Sequence, residues 1–203
     1  MKKIVLVFLL SNFADWEAGY LTAELNSDKE SNPYCIKTVG VSGEAVHSIG
    51  GLTVLPDYSL DSLPAEYEAL ILIGGTSWRE PVAEQIVPLV KTTLQNNKLV
   101  AGICDSSAFL AKHGFLNNVK HTSNSLKDLK IYAANEYTNA QNYLNEPAVA
   151  DGNIITANGT ATLEFARLVF TKLQLDSDQA IKMWYDFYKL GAIEAAKIYG
   201  LDF

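Results

Sequence analysis

Four short, nearly continuous apolar runs limit what this chain can become: residues 4–10 (IVLVFLL), 36–41 (IKTVGV), 69–73 (ALILI) and 99–103 (LVAGI). A strand with one wet face alternates polar and apolar residues, because successive side chains point to opposite sides. These runs do not alternate and are rich in Val, Ile and Leu, the pattern of parallel strands covered on both faces. Parallel strands need crossover connections, and segments with helical spacing lie between the runs. Residues 15–26 carry Trp16, Tyr20, Leu21 and Leu25, with Asp15 as the expected N-cap. Residues 80–96 open on Glu80-Pro81 and place Val82, Ile86, Leu89, Val90 and Leu94 on one stripe. Further helices are expected over 105–113, 160–173 (with Thr160 or Thr162 as cap), 177–190 and about 192–199.

Two regions break the alternation. Residues 43–55, with Gly43, Gly50 and Gly51, read as a small hairpin excursion, and residues 114–156 are polar and Asn-rich. Within the latter, short strands are expected near 148–150 and 153–156, joined by Asp151-Gly152. The expected architecture is α/β: one domain over residues 1–203, a doubly wound and mostly parallel sheet with helices on both faces.

Charge narrows the partners. The net charge of −7 comes with no basic cluster or arm, which disfavours nucleic acid and anionic membrane surfaces and leaves a small molecule or a protein. Lys2-Lys3 before the first apolar run mimics a secretory signal, but the run is at the short limit and Ser11 to Asp15 make a poor cleavage site. A buried first strand is the expected outcome, and no apolar stretch reaches the ~18 residues of a membrane span. The two cysteines, Cys35 and Cys104, form no CxxC pair and read as free thiols of a reducing, cytoplasmic compartment.

The strongest chemical signal is Leu99-Val-Ala-Gly-Ile-Cys104-Asp-Ser-Ser-Ala-Phe-Leu110, an apolar strand that runs into a cysteine and straight on into a helix. A nucleophile elbow has this form and displays its reactive atom at the carboxyl edge of the sheet. The helix N-terminus there is expected to favour the thiolate, and free backbone N–H groups can hold an oxyanion. The alternative keeps Cys104 as an inert, buried small residue. Cys35, at a strand start with no adjacent helix, reads as structural.

Paired Gly74 and Gly75 at the end of the third run allow a close turn with exposed N–H groups beside the elbow; a plain turn is the alternative. Neither GxGxxG nor a Walker lysine is present, so no nucleotide cofactor is expected. Glu17 falls at the same sheet edge in the first turn of a helix, where a carboxylate is also simply favourable. His47, His113 and His121 have no metal-ligand spacing, so no metal is expected, and a Cys–His–Glu order with a late histidine is impossible.

In combination these pieces resemble the ThiJ/PfpI family of the class I glutamine amidotransferase-like superfamily, over nearly the full length. The resemblance rests on Ala14-Asp15-Trp16-Glu17, Ile73-Gly74-Gly75, Ala101-Gly102-Ile103-Cys104 and Thr156-Ala157-Asn158-Gly159-Thr160-Ala161. It implies a flavodoxin-like three-layer sandwich, Cys104 as the elbow nucleophile, Glu17 as its hydrogen-bonded acid, and oxyanion-facing N–H groups at Gly75 and Asp105. Gly74 and Thr160 fall within the same motifs. Beside a thiolate only a protonated carboxyl stabilises, so this role requires a Glu17 with a raised pKa.

Three departures matter. Members credited with peptidase activity carry histidine directly after the cysteine, where Asp105 stands here; a common glycine is replaced by Ser106. Where another common member has a histidine after the elbow helix, Thr122-Ser123-Asn124 falls. Asn124 can position a ligand but cannot act as a base. The expected function is therefore a cysteine-dependent hydrolase or amidase (intracellular protease or amidase-like) or a glyoxalase-like enzyme on a small carbonyl or amide substrate. The alternative is a redox or stress-response protein whose cysteine meets an oxidant without turnover; a binding protein with an inert cysteine is the third. The resemblance also implies a homodimer, for which Trp184, Tyr185, Phe187 and Tyr188 offer an apolar surface unless they pack on their own core.

Overall fold

The computed structural model describes residues 2–27, 29 and 31–202. Each of the four runs forms a strand at the centre of the sheet: β1 (Lys3–Phe8), β2 (Tyr34–Gly40), β6 (Ala69–Leu72) and β7 (Leu99–Ile103). With β5 (Tyr58–Ser59), β8 (Ala148–Asp151) and β9 (Ile154–Ala157) they make a seven-stranded sheet ordered β5-β2-β1-β6-β7-β9-β8. Every neighbouring pair is parallel except β8 and β9, which are antiparallel. The predicted hairpin is present as β3 (Val46–His47) and β4 (Thr53–Val54).

Two apolar layers show why the runs are continuous. Val5, Val7, Ala69, Ile71, Leu99 and Ala101 face α1 (Asp15–Leu25) and α5 (Thr162–Leu173) through Leu21, Leu25, Phe165, Val169 and Phe170. The alternate residues Leu6, Phe8, Leu70, Leu72 and Val100 face α2 (Val87–Gln95), α3 (Asp105–Lys112) and α4 (Leu126–Ala133). Both sides of the sheet are thus withdrawn from water, and each fully buried aliphatic or aromatic side chain contributes about 1.5–3 kcal/mol. The last two helices, α6 (Asp178–Leu190) and α7 (Ala192–Tyr199), close the α1/α5 side.

Four local expectations are corrected. Asp15 is the first helical residue rather than the cap, which is Ala14; its Oδ2 accepts instead from Ser48 Oγ at 3.1 Å, tying the hairpin to α1. The segment 80–96 is not one helix but a 3-10 stretch, Pro81–Ile86, followed by α2, because Pro88 lacks the N–H that would continue an α ladder through the junction. Neither threonine caps α5: the cap position is Ala161, and the Thr160 hydroxyl donates to Asn158 Oδ1 at 2.7 Å. The polar stretch after α3 contains α4, capped by Ser125, which accepts from the Asp128 N–H. Ser125-Leu-Lys-Asp128 with Leu126, Leu129 and Ala133 on one side was a legible helix start that the surrounding asparagines obscured.

The tail aromatics divide. Trp184 packs edge-on against Phe170 at 4.8 Å and the Tyr185 hydroxyl donates to Glu164, so both serve their own domain. Tyr188 stays half-exposed against Tyr20. No helix among the described residues is long and apolar enough to cross a membrane.

Candidate active site

Cys104 occupies the residue between β7 and α3, with φ 60° and ψ −131°. A non-glycine residue at positive φ costs on the order of 1–3 kcal/mol and persists only where the surroundings enforce it. Here they do. The Cys104 N–H donates to Ala157 O at 3.0 Å, and Ser107 Oγ bonds the Cys104 carbonyl and Ser123 Oγ. Ser106 Oγ lies 2.8 Å from Leu72 O and 2.7 Å from Ile103 O, stitching α3 to the ends of β6 and β7. Serine at position 106 is therefore a structural departure from glycine, with a defined bonding role.

Glu17 is 1% exposed although it is a carboxylic acid. Its Oε2 accepts from the Gly74 N–H at 2.9 Å, while Oε1 has no hydrogen bond of good geometry. The two site glycines show where Oε1 lies. A methyl at Gly159 would sit 2.9 Å from Cys104 Sγ and 3.0 Å from Glu17 Oε1; one at Gly74 would sit 2.4 Å from Oε2 and 2.6 Å from Cys104 Cβ. Thiol and carboxyl are thus pressed together between two glycines.

The electrostatics follow. Burial raises the pKa of Glu17 to about 7, against the pull of the Cys104 thiol and the Gly74 N–H, with the Asp105 charge adding to the rise. The raised value that the resemblance required is present. The thiol, however, is not activated at rest: burial and then the Glu17 carboxylate push Cys104 up to about 11, beyond what the Asn124 amide and Asp105 N–H pull back. The expectation that the helix N-terminus would favour the thiolate is corrected on this point. Its roughly half charge is outweighed by desolvation and a carboxylate at contact.

The other expected residues fall as follows. Asn124 Nδ2 donates to Cys104 Sγ at 3.2 Å, and its Oδ1 accepts from the Gly159 N–H at 2.8 Å, so it is a partner of the sulfur itself. Gly75 bridges Phe13, but the bonds belong to the flanking groups, Ala14 N to Gly74 O and Thr76 N to Asn12 O, so the Gly75 N–H is not used by the bridge. Gly74 holds Glu17 rather than an oxyanion. Thr160 is turned to Asn158, which accepts from both its N–H and its hydroxyl, and so lies apart from the cluster's hydrogen bonds.

No histidine bonds the thiol: His47 pairs with Thr53, His113 with Glu84, and buried His121 holds Val119 O and the Tyr137 hydroxyl. Among the described residues no group of three or more His, Cys, Asp or Glu could hold a metal. Cavities of about 240, 250 and 320 Å³ lie elsewhere, lined by neither Cys104 nor Glu17.

Sequence reasoning missed Arg79. Its guanidinium chelates Asp105 (Nε to Oδ2, 2.8 Å; Nη2 to Oδ1, 2.9 Å) and Asp128 (Nη1 to Oδ1, 3.2 Å; Nη2 to Oδ2, 2.7 Å). Nothing local marks it, since the three residues are brought together only by the fold.

A family model described as the DJ-1/PfpI family matches residues 2–172. The chain belongs to this family. Its DJ-1/PfpI relatives include the uncharacterized protease YoaZ of Bacillus subtilis, 37% identical over 190 residues and covering 91% of this chain and 90% of that one. The uncharacterized protease YdeA of the same organism is 35% identical over 203 residues, 100% of this chain and 99% of its own. Among solved structures, a ThiJ/PfpI family protein from Bacillus anthracis superposes with a TM-score of 0.89 at 37% identity, over 96% of this chain and 94% of that one.

Proposed function

We propose that this DJ-1/PfpI chain is a cysteine-dependent enzyme on small carbonyl or amide substrates, in which Glu17 replaces the absent histidine as proton acceptor. One observation carries the reading: a buried carboxyl titrating near 7, with one oxygen unbonded, lies against the elbow thiol. A general base works best with a pKa near the operating pH. As Cys104 Sγ forms its bond to the substrate carbonyl carbon, the thiol proton passes to Glu17 and the carbonyl π pair moves to oxygen, facing the Gly75 and Asp105 N–H groups. On collapse of an amide adduct the C–N bond breaks and the departing nitrogen takes the proton back from Glu17. Water then adds to the thioester, again giving its proton to Glu17; on collapse the C–S bond breaks, the acid leaves and the departing sulfur takes that proton back, restoring the resting pair. A dicarbonyl substrate adds the thiol as a hemithioacetal; Glu17 then moves the proton from the sulfur-bearing carbon to the neighbouring carbonyl carbon as the π pairs shift, giving a 2-hydroxy thioester that water cleaves in the same way to a hydroxy acid and the free thiol. The protease names of YoaZ and YdeA fit the amide branch.

With a panel of small amides, thioesters and dicarbonyls, Cys104→Ser is expected to lower turnover about 10³-fold or more. Turnover of the serine variant at the native rate would sink the reading. The rate of the native protein is expected to rise through pH ~7 as Glu17 ionises.

A second reading has its own support. Asn124 Nδ2, the Asp105 N–H and a protonated Glu17 together form a set of donors around the sulfur that suits a sulfinate. Peroxide-dependent mass gain of two oxygen atoms at Cys104, with no turnover on any panel member, would select it. Either reading fits a protein of the cytoplasm.

The same proposal includes a homodimer. Trp16, Tyr20 and Tyr188 remain exposed on the α1/α6 side, where Tyr20 and Tyr188 are in contact. Sedimentation is expected to give twice the chain mass at micromolar concentration, and Tyr188→Glu is expected to shift it to the monomer; a native monomer at all concentrations refutes the dimer.

A further inference from the structure

Asp105 directly follows the nucleophile, and its charge reaches Glu17. Arg79 binds both Asp105 oxygens, which leaves it the task of neutralising one carboxylate; but it also binds both oxygens of Asp128. The cluster therefore holds one cation and two anions. Nearby basic groups do not correct the balance. Lys112, at the far end of α3, pairs with Glu84 at 2.6 Å, and His113 faces the same carboxylate at 3.3 Å while burial lowers its pKa. The Tyr132 ring, on which Arg79 rests at 4.9 Å, contributes no positive charge. Glu17, when ionised, adds a further anion at the thiol itself.

We infer that the Arg79–Asp105–Asp128 cluster makes the Cys104 site select neutral or cationic substrates and reject those with a carboxylate or phosphate beside the reacting carbon. This rests on Cys104 being the reacting group and narrows the substrate class of the proposed reaction. The guanidinium is already chelated on both sides by fixed carboxylates, so an incoming anion must displace one of them to use it. A neutral amide or carbonyl meets no such penalty. Arg79 has a second consequence as a positioning residue: it pins α3 to α4, and α4 begins just after Asn124, whose amide donates to the sulfur.

The test compares alkylation of Cys104 by neutral iodoacetamide and anionic iodoacetate in a Cys35→Ser background. In both reactions sulfur bonds to carbon and iodide leaves, so the rate ratio cancels the thiolate fraction. At low salt, the preference for iodoacetamide is expected to exceed that of a small free thiol by about three- to tenfold, and to shrink towards it in 0.5 M salt, roughly a 4 Å screening length. Asp128→Asn, an isosteric change at a half-buried carboxylate, should narrow the preference, and Arg79→Met should widen it. A ratio equal to the free thiol's at low salt, unmoved by Asp128→Asn, overturns the inference while leaving a reactive Cys104 intact. Failure of iodoacetamide to label Cys104 in the folded protein even near pH 11, where the thiolate is populated, refutes the catalytic reading as well.

Discussion

Glutamine at position 17 is expected to lower the alkylation pKa of Cys104 below its native value of about 11 while reducing turnover about 10²–10⁴-fold. The two movements have opposite signs for one reason. Glu17 is a carboxylate in contact with the thiol, so its charge opposes formation of the thiolate; a neutral amide removes that opposition and can donate to the sulfur. Yet the amide cannot take a proton, so a more acidic thiol comes with a slower reaction. A residue that merely packed would move neither quantity, and an acid needed only to stabilise the thiolate would raise the alkylation pKa when lost. Stability supplies an independent readout. The folded pKa of Glu17, about 7, exceeds its ordinary 4.5, so the folded state holds the proton longer than the unfolded chain. Native stability should therefore be highest below pH 4.5 with respect to this group and decline as pH rises to about 7, by about 3 kcal/mol. Denaturant titrations at pH 5 and pH 8 should show that decline, and Glu17→Gln should lack it. Equal pH dependence in the two proteins would remove Glu17 from the pair.

Alanine at Gly74 is expected to be strongly damaging. Its Cβ would lie 2.4 Å from Glu17 Oε2, 2.6 Å from Cys104 Cβ and 2.7 Å from Ile103 O, all under van der Waals contact. Two of these neighbours cannot yield, since one is backbone at the end of β7 and the other is the strained elbow itself. The Glu17 carboxyl can move only by giving up the Gly74 N–H bond, its one good hydrogen bond, inside a buried site. Overpacking of this kind typically costs 1–3 kcal/mol, and an orphaned buried acceptor adds about 1–3 more. Urea unfolding should show a loss of about 2–6 kcal/mol, and the surviving folded protein should have lost the pH-dependent link between positions 17 and 104. Gly43→Ala, where a methyl meets nothing within 4 Å, is the control and should be close to neutral. Native stability and an intact Glu17–Cys104 coupling in Gly74→Ala would show that the two side chains are not pressed together as described.

Both variants act where local and non-local information meet. The sheet was legible because each apolar run is a complete local statement: with no polar residue on either face, a strand has to be covered twice, and crossover helices are the only way to do it in parallel. The elbow was legible for a similar reason, since a strand ending at Cys104 with no loop before α3 leaves that residue at the carboxyl edge. Helix α4 was missed because its short apolar stripe, Leu126, Leu129 and Ala133, lies among serine, asparagine and aspartate residues whose individual preferences point to turns. The break before α2 was missed because the apolar stripe from Val82 to Leu94 was read as one helix without regard to Pro88, which has no N–H to continue the ladder.

The chemistry of the site depended on distances no spacing rule supplies. Glu17 and Cys104 are 87 positions apart by their numbers, and only the neighbouring of β1, β6 and β7 presses them together between Gly74 and Gly159. The local rule for a helix N-terminus gave the wrong direction for the thiol, because a macrodipole is a weak field set against burial and a carboxylate at contact. Arg79, Asp105 and Asp128 show the same division, since each reads in sequence as an ordinary charged residue and only the fold joins them in one chelate. Backbone architecture and the positions of the proposed nucleophile, Cys104, and of its proposed partner, Glu17, at the carboxyl edge of the sheet were thus determined by the sequence itself, through hydrophobic pattern and turn position, which are local. The protonation states, the sulfur's partners and the charge of the site were decided only by tertiary structure, because electrostatic effects depend on separation and dielectric, and both are created by folding.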